Sequence, residues 1–218
     1  MTTETVTQVQ PEHAERVQPV SKGAGTTPLS PQRPWPPPQK EWTLEDWRRL
    51  PEDDWRYEVI DGVLYMTPPP RTLHQMILMA LSARMWSYAR QHQLGEVIVA
   101  PCAVLLPTQP VPVQPDILFI QAERVDIIGE TQVQGAPDLV VEILSPSNWM
   151  YDRREKFMLY QEAGVTEYWI IDPDLQTIEV SVLRGETFTL LGRWEVGEQA
   201  HSETLAGFVI PLADLFGE

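Results

Sequence analysis

The chain has a single cysteine, Cys102, among 218 residues. That excludes an internal disulfide and a zinc site built from several cysteines. The apolar neighbours of Cys102 read as core rather than as the setting of a nucleophile, and so few thiols suit a cytoplasmic protein. Basic residues are scarce as well. Sixteen Lys and Arg stand against 31 Asp and Glu, a net charge of −15. Tight nonspecific binding to nucleic acid rests on neutralising phosphates with Lys and Arg, so an acidic body of this kind needs a local basic cleft before it can work on such a polymer. No apolar run is long enough for a signal peptide or a bilayer span. Ser145 and Ser147 flank Pro146 without a G-x-S-x-G context, which argues against a serine nucleophile. His92 and His201 lack metal-ligand spacing, and no internal repeat is present.

What is present divides into a tail and a domain. Residues 1–40 hold eight of the 21 prolines, with many Thr, Gln and Ser and no periodic apolar pattern. Such a stretch favours extended, solvated chain and reads as a disordered tail. It carries four basic and three acidic residues, so residues 41–218 hold about −16 of the net charge. That remainder is long enough for one domain with a sizeable core.

Within it, Thr43 and Asp46 read as the N-cap and capping-box positions of a helix that Pro51 must end. Asp61-Gly62 between two short apolar runs predicts a hairpin with a type I′ turn. An amphipathic helix is expected from Thr72 to His92, with Gly95 as its stop. Strands are expected over 96–106, 111–120, 139–144 and 167–172, and a second helix over 152–164. Residues 177–183 and 186–191 alternate with period two. They read as an antiparallel extension with one wet face, which also offers a homodimer contact. A short helix at 212–216 closes the chain. The expected class is α/β, a mixed sheet flanked by helices.

Three carboxylates fall on or beside the expected core strands: Glu58, Asp116 and Glu142. Carboxylates are rarely buried without a partner. A group of them supplies the oxygen ligands that Mg²⁺ or Mn²⁺ takes. Lys156 lies one helical turn after Asp152 and could aim an ammonium at the same place. The same residues admit a plainer reading, in which Glu142 and Lys156 form a buried ion pair and nothing more. His74, in the first turn of the long helix, could contact a phosphate or a leaving oxygen. It could equally bond a loop carbonyl. Tyr160 reads as a residue packed on the sheet.

The motifs Y-E-V-I-D-G (57–62), P-P (69–70) followed by His74, Q-P-D-I (114–117), P-D-L-V-V-E-I-L-S-P-S (137–147), D-R-R-E-K (152–156) and Y-Q-E-A-G-V-T-E-Y-W-I-I-D-P (160–173) occur in this order. Together they resemble the Uma2 family of restriction-endonuclease-like proteins, within the PD-(D/E)xK nuclease superfamily. The resemblance covers residues 43–217. It implies a restriction-endonuclease-like core and a metal-dependent endonuclease acting on nucleic acid, with DNA the expected polymer. It gives Asp116 and Glu142 the two motif acids, Glu58 the additional acid, and the three together the Mg²⁺ or Mn²⁺ ion. The superfamily lysine would stand two residues after Glu142, where this chain has Leu144; the resemblance carries that role to Lys156. The competing expectation is a non-catalytic module of the same fold that binds a protein partner, which the acidic charge favours.

Overall fold

The computed structural model describes residues 35–145 and 152–217. The expected tail over residues 1–34 lies outside them. Residues 35–40, assigned by composition to the same tail, pack on the domain: Trp35 meets Trp42 edge-on at 5.6 Å, and the Gln39 side chain accepts from the Leu64 amide.

A six-stranded sheet organises the chain. Its strands are β3 (Gly95–Val99), β5 (Ile117–Gln121), β7 (Leu139–Ile143), β8 (Glu167–Asp172), β9 (Thr177–Arg184) and β10 (Thr187–Glu195). They run in the order β10-β9-β8-β7-β5-β3. Only β7 and β8 are parallel; the other neighbours are antiparallel. The central strands read as unbroken apolar runs because both faces are covered. Ile117, Phe119, Val141, Ile143, Trp169 and Ile171 point to one face, against Ile77, Leu81, Met85 and Ala89 of helix α2 (Thr72–His92). Leu118, Ile120, Val140, Tyr168 and Ile170 point to the other, against Leu159 and Tyr160 of helix α3 (Phe157–Ala163). Glu142 shares the α3 face by the period of two.

The smaller elements are the one-turn helix α1 (Leu44–Trp47), hairpin β1 (Arg56–Ile60) and β2 (Val63–Thr67), the parallel pair β4 (Ala103–Leu105) and β6 (Gln132–Gln134), the pair β11 (Gln199–His201) and β12 (Val209–Pro211), and helix α4 (Ala213–Phe216). The capping box forms as read: Thr43 N–H donates to Asp46 Oδ2 at 3.0 Å while the Thr43 hydroxyl oxygen accepts from the Asp46 amide. The hairpin turn places Asp61 at φ 49° and Gly62 at φ 71°, as a type I′ turn demands.

Several boundaries differ from the sequence reading. Helix α2 ends on Gln93 in the left-handed region, with its N–H turned back to Ala89 and Arg90 carbonyls. Gly95 instead opens β3 at φ 146°, where a Cβ would lie 2.0 Å from the Ile120 carbonyl oxygen. The expected strand 96–106 breaks into β3 and β4, because Pro101 has no N–H for a ladder. The strand expected over 111–120 begins only at Ile117; before it, Val113 makes one bridge to Val104. The expected helix 152–164 starts as a π turn over Asp152–Lys156 and becomes α-helical at Phe157. The antiparallel extension of β9 and β10 forms and runs longer than read, to Glu195.

Candidate active site

The parallel pair β7–β8 forces a crossover, and the π turn and α3 are part of that crossover. This returns Lys156 over the α3 face of the sheet, where Glu142 points. Lys156 is the only lysine of residues 41–218, and it is fully buried, at 0 % exposure. Its Nζ donates to Glu142 Oε1 at 2.9 Å and lies 3.2 Å from Glu58 Oε2. Glu58, from β1, is 1 % exposed and Glu142 0 %. The Tyr160 hydroxyl donates to Glu142 Oε1 at 2.7 Å. So Tyr160 touches the cluster, where the sequence favoured packing on the sheet over a supporting role near the site. The Gln114 amide donates to Glu58 Oε1 at 2.9 Å.

Asp116 stands just before β5. Its Oδ2 accepts the Ile143 N–H at 2.8 Å, which ties it to the residue after Glu142. Its Oδ1 accepts from Arg56 Nη1 at 2.9 Å and faces His74 Nε2 at 3.6 Å. Arg56 Nη1 also donates to the Gln114 carbonyl at 3.0 Å. His74 is 8 % exposed, and its buried Nδ1 has no hydrogen-bond partner among the described residues. Among the described residues no loop carbonyl accepts from His74 Nδ1.

The charges reinforce one another. Burial alone would raise the Glu58 pKa, but the Lys156 and Arg56 cations and the Gln114 amide outweigh it and hold it below the usual glutamate value. Asp116 follows the same pattern. Burial pushes it up, and the neighbouring His74 and the field of Arg56 bring it far below the usual range. Burial would depress Arg56, yet Glu58, Asp116 and Glu142 together raise it. Tyr160 is pushed well above the tyrosine range, by burial first and then by Glu142 and Glu58. It is a neutral donor at any ordinary pH.

A cavity of about 720 Å³ opens beside this cluster. Arg56, His74, Asp116, Gln114, Ile143 and Ser145 form its floor, with Arg71 and Gln75 from the start of α2 and Pro68 to Pro70 as a wall. Glu58, Glu142 and Lys156 do not line it. Asp116 is thus the one cluster carboxylate at the cavity surface, and the other two lie behind it with the ammonium between them.

All five residues singled out in the sequence, Glu58, Asp116, Glu142, Lys156 and His74, are brought into this one neighbourhood. The sequence reading missed Arg56. Its signal was available: Arg56 precedes Glu58 by two on a strand, so both face the same side. The donor set suits a hard cation in kind, since carboxylate oxygens predominate and three acids exceed two cations by one charge. In arrangement, no three of His, Cys, Asp or Glu among the described residues stand ready as ligands of one ion, because Lys156 and Arg56 hold the carboxylates.

No curated protein matches the chain. Its fold is similar to a crystal structure described as "a putative nuclease belonging to DUF820 from Anabaena variabilis ATCC 29413", with a TM-score of 0.66 and 22 % identity over 80 % of this chain and 97 % of that one. The six-stranded mixed sheet with helices on both faces is thus a fold the two chains share. The family model Uma2, described as "Putative restriction endonuclease", matches residues 44–213, and the chain therefore belongs to the Uma2 family.

Proposed function

We propose that this protein is a divalent-metal-dependent endonuclease that hydrolyses phosphodiester bonds of DNA. The observation that carries the reading is the convergence of Glu58 from β1 and Glu142 from β7 on the domain's one lysine, next to Asp116 in the lining of a cavity. Asp116, Glu142 and Glu58 would hold Mg²⁺ or Mn²⁺, with Lys156 remaining against the two glutamates. When bound, such an ion lowers the pKa of a water and neutralises charge at the phosphorus. Lys156 would keep Glu142 and Glu58 ionised and oriented, and would place positive charge behind the reacting centre. Arg56, Arg71 and His74 face the cavity where a phosphate would enter. The α2 N-terminus beside them has no side-chain cap and no acid in its first turn, so its N–H groups favour an anion. A cavity of this size encloses a drug-sized ligand, which suits one or two nucleotides of an extended strand rather than a whole duplex. With one free thiol, the cytoplasm is the proposed compartment; among the described residues no helix is long and apolar enough to cross a membrane.

The test is cleavage of plasmid and of single-stranded DNA with Mg²⁺ or Mn²⁺, beside Asp116→Ala. Loss of cleavage in the variant supports the reading; equal activity in both, or none in either, defeats it. The second reading is a nuclease-fold module that binds a protein. The net charge of −15 and the buried ion pairs of Lys156 with Glu142 and Glu58 favour it. It requires that millimolar Mg²⁺ leave the protein unbound.

A further inference from the structure

Arg56 occupies a position unlike that of Lys156. Both cations contact cluster carboxylates, but Lys156 is sealed while the Arg56 side chain keeps 18 % of its surface exposed and lines the cavity. Asp116 has one oxygen committed to the Ile143 amide. Oδ1 carries Arg56, so a cation that binds Asp116 there competes with the guanidinium. Arg56 uses Nη1 for both of its bonds, to Asp116 and to the Gln114 carbonyl. Its Nη2 and Nε make no hydrogen bond among the described residues. A guanidinium with free donors at a cavity wall matches a phosphate in a two-pronged geometry.

We propose that Arg56 is a resident counter-ion that exchanges partners. Without substrate it neutralises Asp116 and excludes a divalent cation from Oδ1. A phosphodiester entering the cavity draws the guanidinium to its own oxygens and leaves Oδ1 to the cation. Metal and nucleic acid therefore bind with positive coupling, and Arg56 is the residue through which they are coupled. This rests on the nuclease reading above and adds the order in which the site becomes competent. It also assigns a use to an acidic chain: a carboxylate site left open would collect divalent ions without substrate, and the internal cation prevents that.

The experiment uses the full chain and the spectroscopic signal of free Mn²⁺. Wild type, Arg56→Gln and Asp116→Asn are titrated with Mn²⁺ alone. Wild type is titrated again with a short single-stranded phosphorothioate oligodeoxynucleotide, corrected for Mn²⁺ bound to the oligonucleotide itself. Removing a unit charge a few ångströms from the metal position raises affinity. Arg56→Gln is expected to bind Mn²⁺ about tenfold more tightly than wild type. The oligonucleotide is expected to tighten wild-type Mn²⁺ binding about fivefold or more, the usual lower range of site coupling. That measurement needs no variant, so an unchanged Mn²⁺ affinity overturns the exchange even where Arg56→Gln fails to fold, while a tighter one supports it together with the Arg56→Gln result. Equal or weaker Mn²⁺ binding by a folded Arg56→Gln, or no effect of the oligonucleotide, overturns the exchange. If Mn²⁺ binding depends on Asp116 but ignores both, the exchange alone falls. If Asp116→Asn binds Mn²⁺ as wild type does, the nuclease reading falls with it.

Discussion

Replacing Lys156 by Met tests the cluster most directly, because the substitution keeps an unbranched side chain one atom shorter and removes the charge with its N–H donors. In the native protein the ammonium lies 2.9 Å from Glu142 and 3.2 Å from Glu58, with all three side chains buried. Breaking a buried pair from one side leaves an uncompensated charge and costs about 3–5 kcal/mol. Here two carboxylates are left facing each other, so the upper part of that range is expected at pH 7. For a chain of this size that corresponds to a fall in Tm on the order of 10 °C. The pH dependence separates this from a packing defect. In wild type, Glu58 is depressed below its usual value. Its contribution is therefore present above the unfolded pKa and is lost as pH falls. In Lys156→Met, burial and repulsion make the carboxylate pair take up a proton on folding, so stability rises as pH falls from 8 towards 5. Urea denaturation followed by tryptophan fluorescence at pH 5, 6, 7 and 8 measures both curves. Glu142→Gln in the Lys156→Met background should recover part of the loss. A Lys156→Met curve parallel to wild type, displaced by less than about 1 kcal/mol, would refute the reasoning.

Three further outcomes are expected. Wild-type stability should fall on acidification below about pH 5, because Asp116 as well as Glu58 is held below its usual range, near 4 when unperturbed, and each gives up its contribution as it protonates; acid-denaturation midpoints of Asp116→Asn and wild type check this, the variant showing the shallower slope. Tyr160→Phe removes a hydroxyl that donates to Glu142 and should lower stability by about 1–2 kcal/mol, with cleavage reduced but not abolished, read by denaturation and plasmid nicking together. Glu167→Gln should destabilise by about 1–3 kcal/mol without reducing cleavage per folded molecule, because its carboxylate accepts only from Trp169 Nε1 and the Glu203 and Thr204 amides, in a separate structural cluster.

The sequence made some parts legible for local reasons. Helix α2 could be bounded at Thr72 and His92 because its apolar spacing is uninterrupted. The Asp61-Gly62 turn could be read because few other residue pairs adopt two positive φ values cheaply. Glu142 stood out because an acid in a buried strand must have a partner. The parts that were not legible depend on the assembled chain. Gly95 looks like a helix stop, yet it is required by the approach of the Ile120 carbonyl from a neighbouring strand. Pro101 splits residues 96–106, but that β4 then pairs with β6 instead of the central sheet shows only in the fold. The π turn at Asp152–Lys156 follows no local propensity. Arg56 was overlooked because an arginine near a turn is ordinarily solvated, and its partners at Gln114 and Asp116 lie 58 and 60 residues away.

Hairpin β1–β2 forms its own two-stranded sheet and shares no ladder with the central one. Side-chain bonds of Arg56 and Glu58 with residues 114 and 116 fasten it across the cluster, alongside the contacts of Ile60 and Tyr65 with the core on the α3 face of the sheet. The electrostatic centre is therefore also the latch of a peripheral flap. Neutralising it would let the flap lift as a unit while the six-stranded sheet stays intact. Amide exchange along residues 56–67 would then outpace exchange in β7 and β8, and the accessibility of Lys156 to amine-directed reagents would rise with it.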